Sequence, residues 1–217
     1  MYVLGIIPAR GGSKGIIRKN LYPLCGKPLI DYTIEAACAS YLDNYLISTD
    51  DPEIAKRGRA LLRPAELARD DTPMLPVIQH AVCAYYGKVD AVMILQPTSP
   101  LRTAADINEA LRLFVGGDAD SLYSGYYLGI KGKEPYDKYK TKPHFQRNGA
   151  IFLTRCDLLN KGKLWSDDVL EYEMPKSRSV DVDDMDDMFI CECLLSKGRH
   201  MRCPGVFCLV TARSAKR

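Results

Sequence analysis

The N-terminal stretch Met1-Tyr-Val-Leu-Gly-Ile-Ile-Pro-Ala-Arg-Gly-Gly-Ser-Lys-Gly-Ile-Ile-Arg-Lys-Asn20 decides the predicted fold, because an apolar run leads directly into a glycine-rich turn. The run from Tyr2 to Ile7 predicts a strand that is buried on both faces. The turn is rich in cations, and no acidic residue appears before Asp31. Its basic residues are Arg10, Lys14, Arg18 and Lys19. This end of the chain is therefore a concentrated patch of positive charge that follows a strand.

The glycine-rich turn indicates a binding site for a compact polyanion. Gly11, Gly12 and Gly15 have no side chain, so their backbone N–H groups can approach a ligand and form an anion-binding nest. With the neighbouring cations, such a nest suits a nucleoside triphosphate. The spacing matches neither the Walker phosphate loop nor the dinucleotide fingerprint. On this stretch alone, a solvated turn with ordinary surface lysines remains the competing interpretation.

The composition is typical of a globular protein with one core. The 217 residues are 47% hydrophobic and 26% charged, which favours a single domain over residues 1–217. A net charge of +3 is too small to indicate a nucleic acid partner. No apolar run approaches the roughly twenty residues of a membrane span, and the N-terminal run lacks the basic leader of a signal peptide. We therefore expect a soluble protein with no membrane partner.

The eight cysteines do not form a metal-binding pattern. Cys191-x-Cys193 and Cys203-x-x-x-x-Cys208 lack zinc-site spacing, and no pair of histidines joins them. The sequence therefore predicts reduced thiols and a cytoplasmic location.

Strand and helix patterns alternate along the rest of the chain. Strands are predicted at residues 44–49, 91–95, 121–127 and 150–154. Helices are predicted at residues 29–39, 52–62, 75–86, 106–114 and 185–195. Strands separated by helices imply a mainly parallel α/β sheet, in which ligands bind at the carboxyl ends of the strands. Polar loops follow three of these strand ends, at residues 8–20, 48–51 and 96–102.

A second chemical signal is the acidic segment Ser179-Val-Asp-Val-Asp-Asp184. In a strand, Asp181 and Asp183 would point to the same side. Two adjacent carboxylates repel each other unless a cation lies between them, and oxygen ligands completed by water and phosphates suit Mg²⁺. The competing interpretation is that the aspartates only cap the following helix, which fits Asp184 better than Asp181.

The segment from Gly129 to Arg147 interleaves lysines with aromatic residues. Such a pattern can bind RNA, but here it is short and isolated. It predicts a small excursion outside the main sheet, at residues 125–147.

Eight segments match one known family, in order and over nearly the whole chain. They are Ile7-Pro-Ala-Arg-Gly-Gly-Ser-Lys-Gly15, Arg18-Lys-Asn20, Gly26-Lys-Pro-Leu-Ile30, Ser48-Thr-Asp-Asp51, Arg63-Pro-Ala-Glu-Leu-Ala68, Leu95-Gln-Pro-Thr-Ser-Pro-Leu-Arg102, Asn148-Gly-Ala-Ile-Phe152 and Ser179-Val-Asp-Val-Asp183. With them the chain resembles the CMP-N-acylneuraminate synthetase family, the cytidylyltransferases that activate nine-carbon sugar acids. The resemblance implies a mainly parallel, Rossmann-like nucleotidyltransferase sheet between two helix layers, with a small dimerisation excursion.

The resemblance also implies a reaction and a set of site residues. The anomeric hydroxyl of the sugar acid would attack the α-phosphate of CTP, giving a CMP-sugar acid and pyrophosphate, with Mg²⁺ as cofactor. The residues implied to bind the nucleotide are Arg10, Gly11, Gly12, Ser13, Lys14, Lys19, Asn20 and Arg63. The residues implied to bind the sugar acid are Gln96, Arg147 and Asn148. Asp181 and Asp183 would bind the metal, and these two with Arg10 and Lys19 are the expected catalytic residues.

Individual roles follow from the same resemblance. Arg10 and Lys19 would offset charge on the leaving pyrophosphate, Asn20 would contact the ribose, and Arg63 would read the cytosine edge. The chain is shorter than the family between Asp51 and Arg63 and again within residues 124–147. Relatives build a dimerisation arm at the second of these places, so we expect a homodimer with a shortened arm.

Other functions remain open on the sequence. The acceptor acid could be N-acetylneuraminate, legionaminate or pseudaminate, and a related enzyme activates the eight-carbon acid Kdo. Two further alternatives are a non-catalytic nucleotide-binding module and an RNA-binding protein. The presence of Arg10, Asp181 and Asp183 argues against the first, and the modest net charge argues against the second.

Overall fold

The computed structural model describes residues 1–128 and 144–196, which form a central sheet and its flanking helices. The strands are β1 (Val3–Pro8), β2 (Pro23–Leu24), β3 (Lys27–Pro28), β4 (Asn44–Thr49), β5 (Ala60–Leu62), β6 (Ala91–Ile94), β7 (Ser121–Leu128), β8 (His144–Arg155) and β9 (Val169–Glu173). The α-helices are α1 (Leu29–Cys38), α2 (Pro52–Ala55), α3 (Met74–Ala84), α4 (Ala104–Gly116), α5 (Cys156–Asn160) and α6 (Met185–Leu195). Short 3-10 turns lie at Lys19–Leu21, Ala65–Leu67 and Lys176–Arg178.

The central sheet has seven strands in the order β5-β4-β1-β6-β8-β7-β9. β1 pairs in parallel with β4 and β6, β4 with β5, and β7 with β9. Only β8 runs against its neighbours, because it is antiparallel to both β6 and β7 in the described sheet. The prediction of a mainly parallel α/β sheet is therefore confirmed.

Two apolar layers cover the faces of the sheet. Along β1, Val3 and Ile7 join the core beneath α1, α2 and α4, whereas Leu4 and Ile6 join the core beneath α3 and α5. All four side chains are at most 2% exposed. Burying an aliphatic side chain contributes about 1.5–3 kcal/mol, so this alternation fixes which face each helix covers. The three-layer arrangement is confirmed, and no helix of residues 1–128 and 144–196 is long and apolar enough to cross a membrane.

Most predicted elements are confirmed within a few residues, but the helix at residues 52–62 is wrong. α2 ends at Ala55, and Ala60–Leu62 form a strand that pairs in parallel with the outer side of β4. Gly58 lies between them, and a Cβ there would be 3.1 Å from the Tyr45 hydroxyl oxygen. The chain crosses β4 closely at this glycine, and sheet pairing outweighs the local helical pattern.

A third apolar cluster connects the two ends of the chain. Ile16 from the first loop, Leu24 from the β2–β3 hairpin and Val182 from the acidic segment are buried together with Met188 and Cys191 of α6. The glycine-rich loop and the acidic segment are thereby held side by side. The two ends of the predicted excursion, residues 125–128 and 144–147, do not leave the main sheet but pair with each other in β7 and β8, and residues 129–143 lie outside the described residues.

Candidate active site

A cavity of about 410 Å³ opens beside the carboxyl ends of β1, β5 and β6. The predicted site residues that line this cavity are Arg10, Gly12, Ser13, Lys14, Lys19, Asn20, Arg63, Gln96 and Asp183. Residues far apart in the sequence thus meet at the edge of the sheet where the sequence places the ligand site. We call this space the cationic cavity.

The glycine-rich loop is packed tightly against its neighbours and open towards the cavity. A Cβ at Gly11 would lie 2.7 Å from Oδ2 of Asp51, and a Cβ at Gly15 would lie 2.6 Å from the backbone oxygen of Asp183. Nothing lies within 4 Å of a Cβ placed at Gly12. Gly11 and Gly15 are therefore required by close approach of the chain, while Gly12 leaves room for a ligand.

Lys19 and Asn20 hold the loop in shape. The Nζ of Lys19 donates to the backbone oxygen of Val182 at 2.7 Å and lies 3.3 Å from Oδ1 of Asp183. Asn20 is buried, and its Nδ2 donates to the backbone oxygen of Arg10 at 2.8 Å. Lys19 therefore presents its charge where the glycine-rich loop meets the acidic segment.

The other cations of the loop already have acidic partners. Arg10 and Lys14 both pair with Asp70, and the Lys14 Nζ is 3.0 Å from its Oδ2. Arg18 instead pairs with Asp51 at 2.8 Å and does not line the cavity. Arg10, Lys14 and Lys19 thus give the glycine-rich side of the cavity its positive charge.

Arg63 is an arginine buried in the cavity wall. It is 8% exposed, its Nη2 lies 3.9 Å from Oδ1 of Asp50, and its Nε has no hydrogen-bond partner among the described residues. Burial lowers the pKa of the guanidinium, and the charge of Asp50 offsets part of this effect. Asp50 in turn accepts the backbone N–H of Gly11 at 3.0 Å. Arg63 is therefore a fixed donor with unused hydrogen-bonding capacity beside the cationic loop.

The acidic segment does not form a strand, which is the condition for Asp181 and Asp183 to point to the same side. Residues 179–183 are irregular, and their position is fixed by the backbone N–H of Val182, which donates to the Thr98 oxygen at 2.8 Å. Val182 is fully buried, whereas the Asp183 side chain is 82% exposed. The alternation of buried and polar residues that suggested a strand arises because Val182 anchors the segment in the third apolar cluster.

Asp181 has a partly buried carboxylate with an unused oxygen. Its Oδ1 has no hydrogen-bond partner among the described residues. Burial raises the pKa of this carboxyl; the hydroxyl of Thr98 offsets part of the rise and the charge of Asp183 adds to it. A buried carboxylate without full hydrogen bonding is a site for a cation or for a proton.

A second cavity of about 420 Å³ lies next to the first, because Gly149 in its lining is close to Gln96 in the lining of the first. Asp181 lines it together with Arg147 and Asn148. Arg147 is exposed, and its Cζ lies 4.0 Å from the centre of the Tyr123 ring. This stacking holds a cation at the rim of the second cavity.

Asn148 has a different position from that of Arg147. It is buried, its Oδ1 accepts from Ser124 Oγ at 2.6 Å, and its Nδ2 donates to Ser179 Oγ at 2.9 Å. Its amide therefore holds the wall of the second cavity in place. Direct contact between Asn148 and a sugar acid stays a prediction.

A bulge in β8 marks the boundary between the two cavities. Between the pairs Tyr123↔Phe152 and Gly125↔Arg147 the register shifts, and β8 carries the extra residues. Gly149 lies in this bulge with a φ of 71°, and a Cβ there would be 3.1 Å from Oδ2 of Asp181 and 3.3 Å from Oε1 of Gln96. Bulges often re-aim a strand beside an active site, and here the bulge brings two polar side chains to one point between the cavities.

Comparison with known proteins assigns the family. A model of the family described as "Cytidylyltransferase" matches residues 4–126, which is more than half of the chain and includes the glycine-rich loop, Arg63 and Gln96. The chain belongs to the cytidylyltransferase family.

Several curated proteins resemble this chain along most of its length. An N-acylneuraminate cytidylyltransferase of Escherichia coli O18:K1:H7 is 35% identical over 92% of this chain and 54% of its own length. One of Streptococcus agalactiae serotype III is 32% identical over 84% of this chain and 50% of its own length. The chain thus spans about half the length of these curated relatives.

A solved structure shares the fold. The structure of a CMP:2-keto-3-deoxy-manno-octonic acid synthetase, which was solved in complex with CTP, superposes with a TM-score of 0.72. It is 15% identical and covers 91% of this chain and all of its own. At this identity the likeness concerns the fold alone.

The chemistry of Asp181 and Asp183 is compatible with a magnesium ion whose coordination is completed by other ligands. Asp181 offers a buried oxygen without a partner, and Asp183 is an exposed carboxylate two residues away. No group of three or more His, Cys, Asp or Glu residues suited to a metal occurs among residues 1–128 and 144–196. A site with two carboxylates needs further oxygen ligands, which water and a triphosphate supply for Mg²⁺.

Helix capping, the competing interpretation of the acidic segment, applies to aspartates other than Asp181 and Asp183. Asp184 is the N-cap of α6, and it forms a capping box with Asp187. Asp51 likewise caps α2. The capping signal therefore falls on Asp184 and Asp51, whereas metal binding by Asp181 and Asp183 stays a prediction.

Sequence reasoning missed several residues at the site. Arg69, Asp70 and Thr98 line the cationic cavity, and Lys176 lines the second cavity. Asp70 lies just before Asp71-Thr72-Pro73, which suggests only the start of a helix. Thr98 lies within a matched segment, but nothing in its local pattern connects it with Asp181.

Proposed function

We propose that this chain transfers a cytidylyl group from CTP to a sugar acid of the N-acylneuraminate type, with release of pyrophosphate. The observation that carries this proposal is the meeting of Gln96, Gly149 and Asp181 at the boundary between a cationic cavity and a second cavity. Such a boundary is where the α-phosphate and an attacking hydroxyl must meet. The names of the relatives agree with a cytidylyltransferase that acts on N-acylneuraminate.

In this proposal the cationic cavity holds CTP. Arg10, Lys14 and Lys19 bind the triphosphate, and the backbone of Gly11, Gly12 and Ser13 approaches its oxygens. Asn20 contacts the ribose. Arg63 reads the base, because a buried arginine with an unused Nε–H is a donor that water cannot easily replace. Charge develops on the leaving pyrophosphate as the bond breaks, so cations fixed beside it act mainly in the transition state.

The second cavity holds the acceptor acid. Arg147 offers a guanidinium for its carboxylate, and Gln96 offers an amide at the entrance to the first cavity. Asn148 acts by holding the bulge of β8 against Ser124 and Ser179. This arrangement brings the acceptor hydroxyl towards Asp181, whose carboxylate lines the second cavity and would accept the proton of that hydroxyl.

Asp181 and Asp183 would hold Mg²⁺ in this proposal. When bound, the ion neutralises phosphate charge and polarises the phosphorus centre. Lys19 supports the same region from the other side, because it contacts both the segment backbone and Asp183.

We further propose a cytoplasmic homodimer with one nucleotidyltransferase domain. The described cysteines are all free thiols, which is compatible with a reducing compartment. Light scattering of the purified protein would give a mass of two chains; a mass of one chain would contradict the dimer.

The direct test is pyrophosphate release with CTP and Mg²⁺ in the presence of N-acetylneuraminate, legionaminate, pseudaminate or Kdo. We expect release with a nine-carbon acid and little release when ATP, GTP or UTP replaces CTP. Release with Kdo alone would correct the acceptor. Failure of the folded protein to bind CTP would contradict the proposed function.

A further inference from the structure

Asp70 is a carboxylate that lies among the cations of the cationic cavity. It forms ion pairs with both Arg10 and Lys14, which belong to the glycine-rich loop about 60 residues earlier in the chain. Its side chain is 45% exposed and lines the cavity. A negative charge of the protein therefore occupies part of the site that suits an anionic ligand.

The segment around Asp70 is held mainly by its own short-range bonds. Within residues 64–73, the backbone N–H of Leu67 donates to Pro64, that of Ala68 to Ala65, and the Thr72 hydroxyl to the Glu66 oxygen at 3.0 Å. Among the described residues, the hydrogen bonds and ion pairs that join residues 64–72 to the rest of the protein are made by Asp70. A change at Asp70 can therefore shift this segment as a unit.

We propose that Asp70 is an internal anion that occupies the triphosphate site of the nucleotide-free protein and is displaced when the nucleotide binds. The proposal rests on the proposed function, because it takes the cationic cavity as the triphosphate site. Asp70 acts through Arg10 and Lys14, so it is a positioning residue that sets nucleotide affinity and the release of pyrophosphate.

Charge balance explains why the exchange of Asp70 for a phosphate ligand is reversible. The hydrogen bond from Lys14 and the charge of Arg10 hold the pKa of Asp70 below its usual range, so the carboxylate is ionised at neutral pH. Exposed ion pairs of this kind are weak, and a polyphosphate with several charges can replace one carboxylate. Asp70 competes with pyrophosphate for the two cations and so favours release of the product. After release, Asp70 pairs with both cations again and offsets their mutual repulsion.

The location of the segment links phosphate binding to base recognition. Residues 64–73 directly follow Arg63, which is buried in the cavity wall. A movement of this segment on displacement of Asp70 starts at the residue that we assign to the base. Binding at the phosphate site thereby changes the position of the residue assigned to the base.

The test compares Asp70→Asn with Asp70→Glu and with Asp71→Asn. Asp70→Asn keeps the shape but removes the competing charge, and Asp70→Glu restores that charge. Asp71 is the matched control, because it is the adjacent exposed carboxylate and does not line the cavity. Calorimetry measures the binding of CTP and of inorganic pyrophosphate, each with magnesium chloride, and steady-state rates give KM for CTP and inhibition by pyrophosphate.

For Asp70→Asn we expect both dissociation constants to fall by about three- to tenfold, the range for two exposed ion pairs. The KM for CTP falls with them, and pyrophosphate becomes a stronger inhibitor, whereas Asp70→Glu and Asp71→Asn resemble the wild type. Unchanged or weaker binding by Asp70→Asn would overturn the role of Asp70. If neither the wild type nor the variants bind CTP or pyrophosphate, the proposed function itself fails, which is a distinguishable result.

Discussion

The Nζ of Lys19 lies 3.3 Å from Oδ1 of Asp183, although 164 residues separate them in the sequence. The same Nζ donates to the backbone oxygen of Val182 at 2.7 Å. One lysine therefore connects the glycine-rich loop with the acidic segment at the edge of the cationic cavity. The third apolar cluster fixes this meeting, because Ile16 and Val182 are buried in it next to the two polar segments.

This connection predicts a large effect of Lys19→Ala on turnover. In the proposed function the variant loses a fixed cation beside the leaving pyrophosphate, and we expect kcat to fall by about a hundredfold or more. Lys27→Ala is the control, because Lys27 forms an ion pair with Glu35 outside the cavity. Equal kcat values in the two variants would show that Lys19 has only a structural role.

Arg63→Ala should weaken CTP binding more than it changes the rate at saturation. A lost hydrogen bond to a charged donor is worth about 1.5–3 kcal/mol, which corresponds to a rise in KM of about ten- to a hundredfold. Arg59, which is exposed and lies four residues earlier, gives the matched control Arg59→Ala. A fall in kcat at unchanged KM would argue against the reading of the base by Arg63.

Gly149 and Gly162 allow backbone strain to be separated from an effect on the site. Both have a positive φ, 71° and 74°, but only a Cβ at Gly149 would approach Asp181 and Gln96. Alanine at either position should destabilise the fold by about 1–2 kcal/mol. Only Gly149→Ala should also reduce turnover, which paired melting curves and pyrophosphate-release rates would measure. A similar loss of activity in both variants would contradict a specific role of the bulge.

The stability of the fold should depend on pH through Asp106. This carboxylate is 1% exposed and accepts bonds from Arg178 at 2.7 Å and from the Tyr172 hydroxyl at 3.0 Å. Burial alone would raise its pKa, but the hydrogen bonds from Arg178 and Thr103 outweigh burial and hold the pKa below its usual range. A depressed pKa stabilises the folded state above the unfolded value of about 3.9, and this contribution is lost as pH falls through the lower folded value.

Asp106→Asn should therefore lower the free energy of unfolding by about 3 kcal/mol at neutral pH, as expected when a buried ion pair is broken. The difference from the wild type should shrink as pH falls below about 4, because the carboxyl of the unfolded wild type becomes protonated there and that of the folded protein follows at its lower pKa. Urea unfolding across this range measures it. Asp118→Asn, at an exposed position, is the control. A difference that stays constant down to low pH would contradict this account.

The sequence predicts best those parts of the fold that depend on local signals. The helix at residues 185–195 is confirmed residue for residue, because Asp184 and Asp187 form a capping box at its start. The strand before the glycine-rich loop is also confirmed, since its continuous apolar run can only be buried between two helix layers.

Features that arise from contacts between distant segments could not be predicted. The strand Ala60–Leu62 forms because it pairs with β4, and the bulge at Gly149 forms opposite Ser124. The pairing of Asp70 with Arg10 is likewise a contact across 60 residues. In each case the local pattern gives no sign of the partner.

The same distinction applies to the candidate site. Most of the site residues that the resemblance names line the cationic cavity, so the structure brings them together. Their ligands stay predictions, as does the arm, most of which lies outside the described residues. Arg102, the last residue of a matched segment, has a structural role: it is buried and donates to the Ala150 oxygen at 2.8 Å and to Thr33 Oγ1 at 2.7 Å, so it connects β8 with α1.

The most direct test of the central claim is pyrophosphate release from CTP and N-acetylneuraminate by Asp183→Asn, compared with Asp186→Asn. Asp183 lines the cationic cavity, whereas Asp186 lies in the first turn of α6 and does not line it. We expect Asp183→Asn to lose about a thousandfold or more of its turnover with an unchanged melting temperature, because it removes a proposed metal ligand but keeps the side-chain shape. Asp186→Asn should retain wild-type turnover. Unchanged turnover in Asp183→Asn would contradict the assignment of this carboxylate to the reaction.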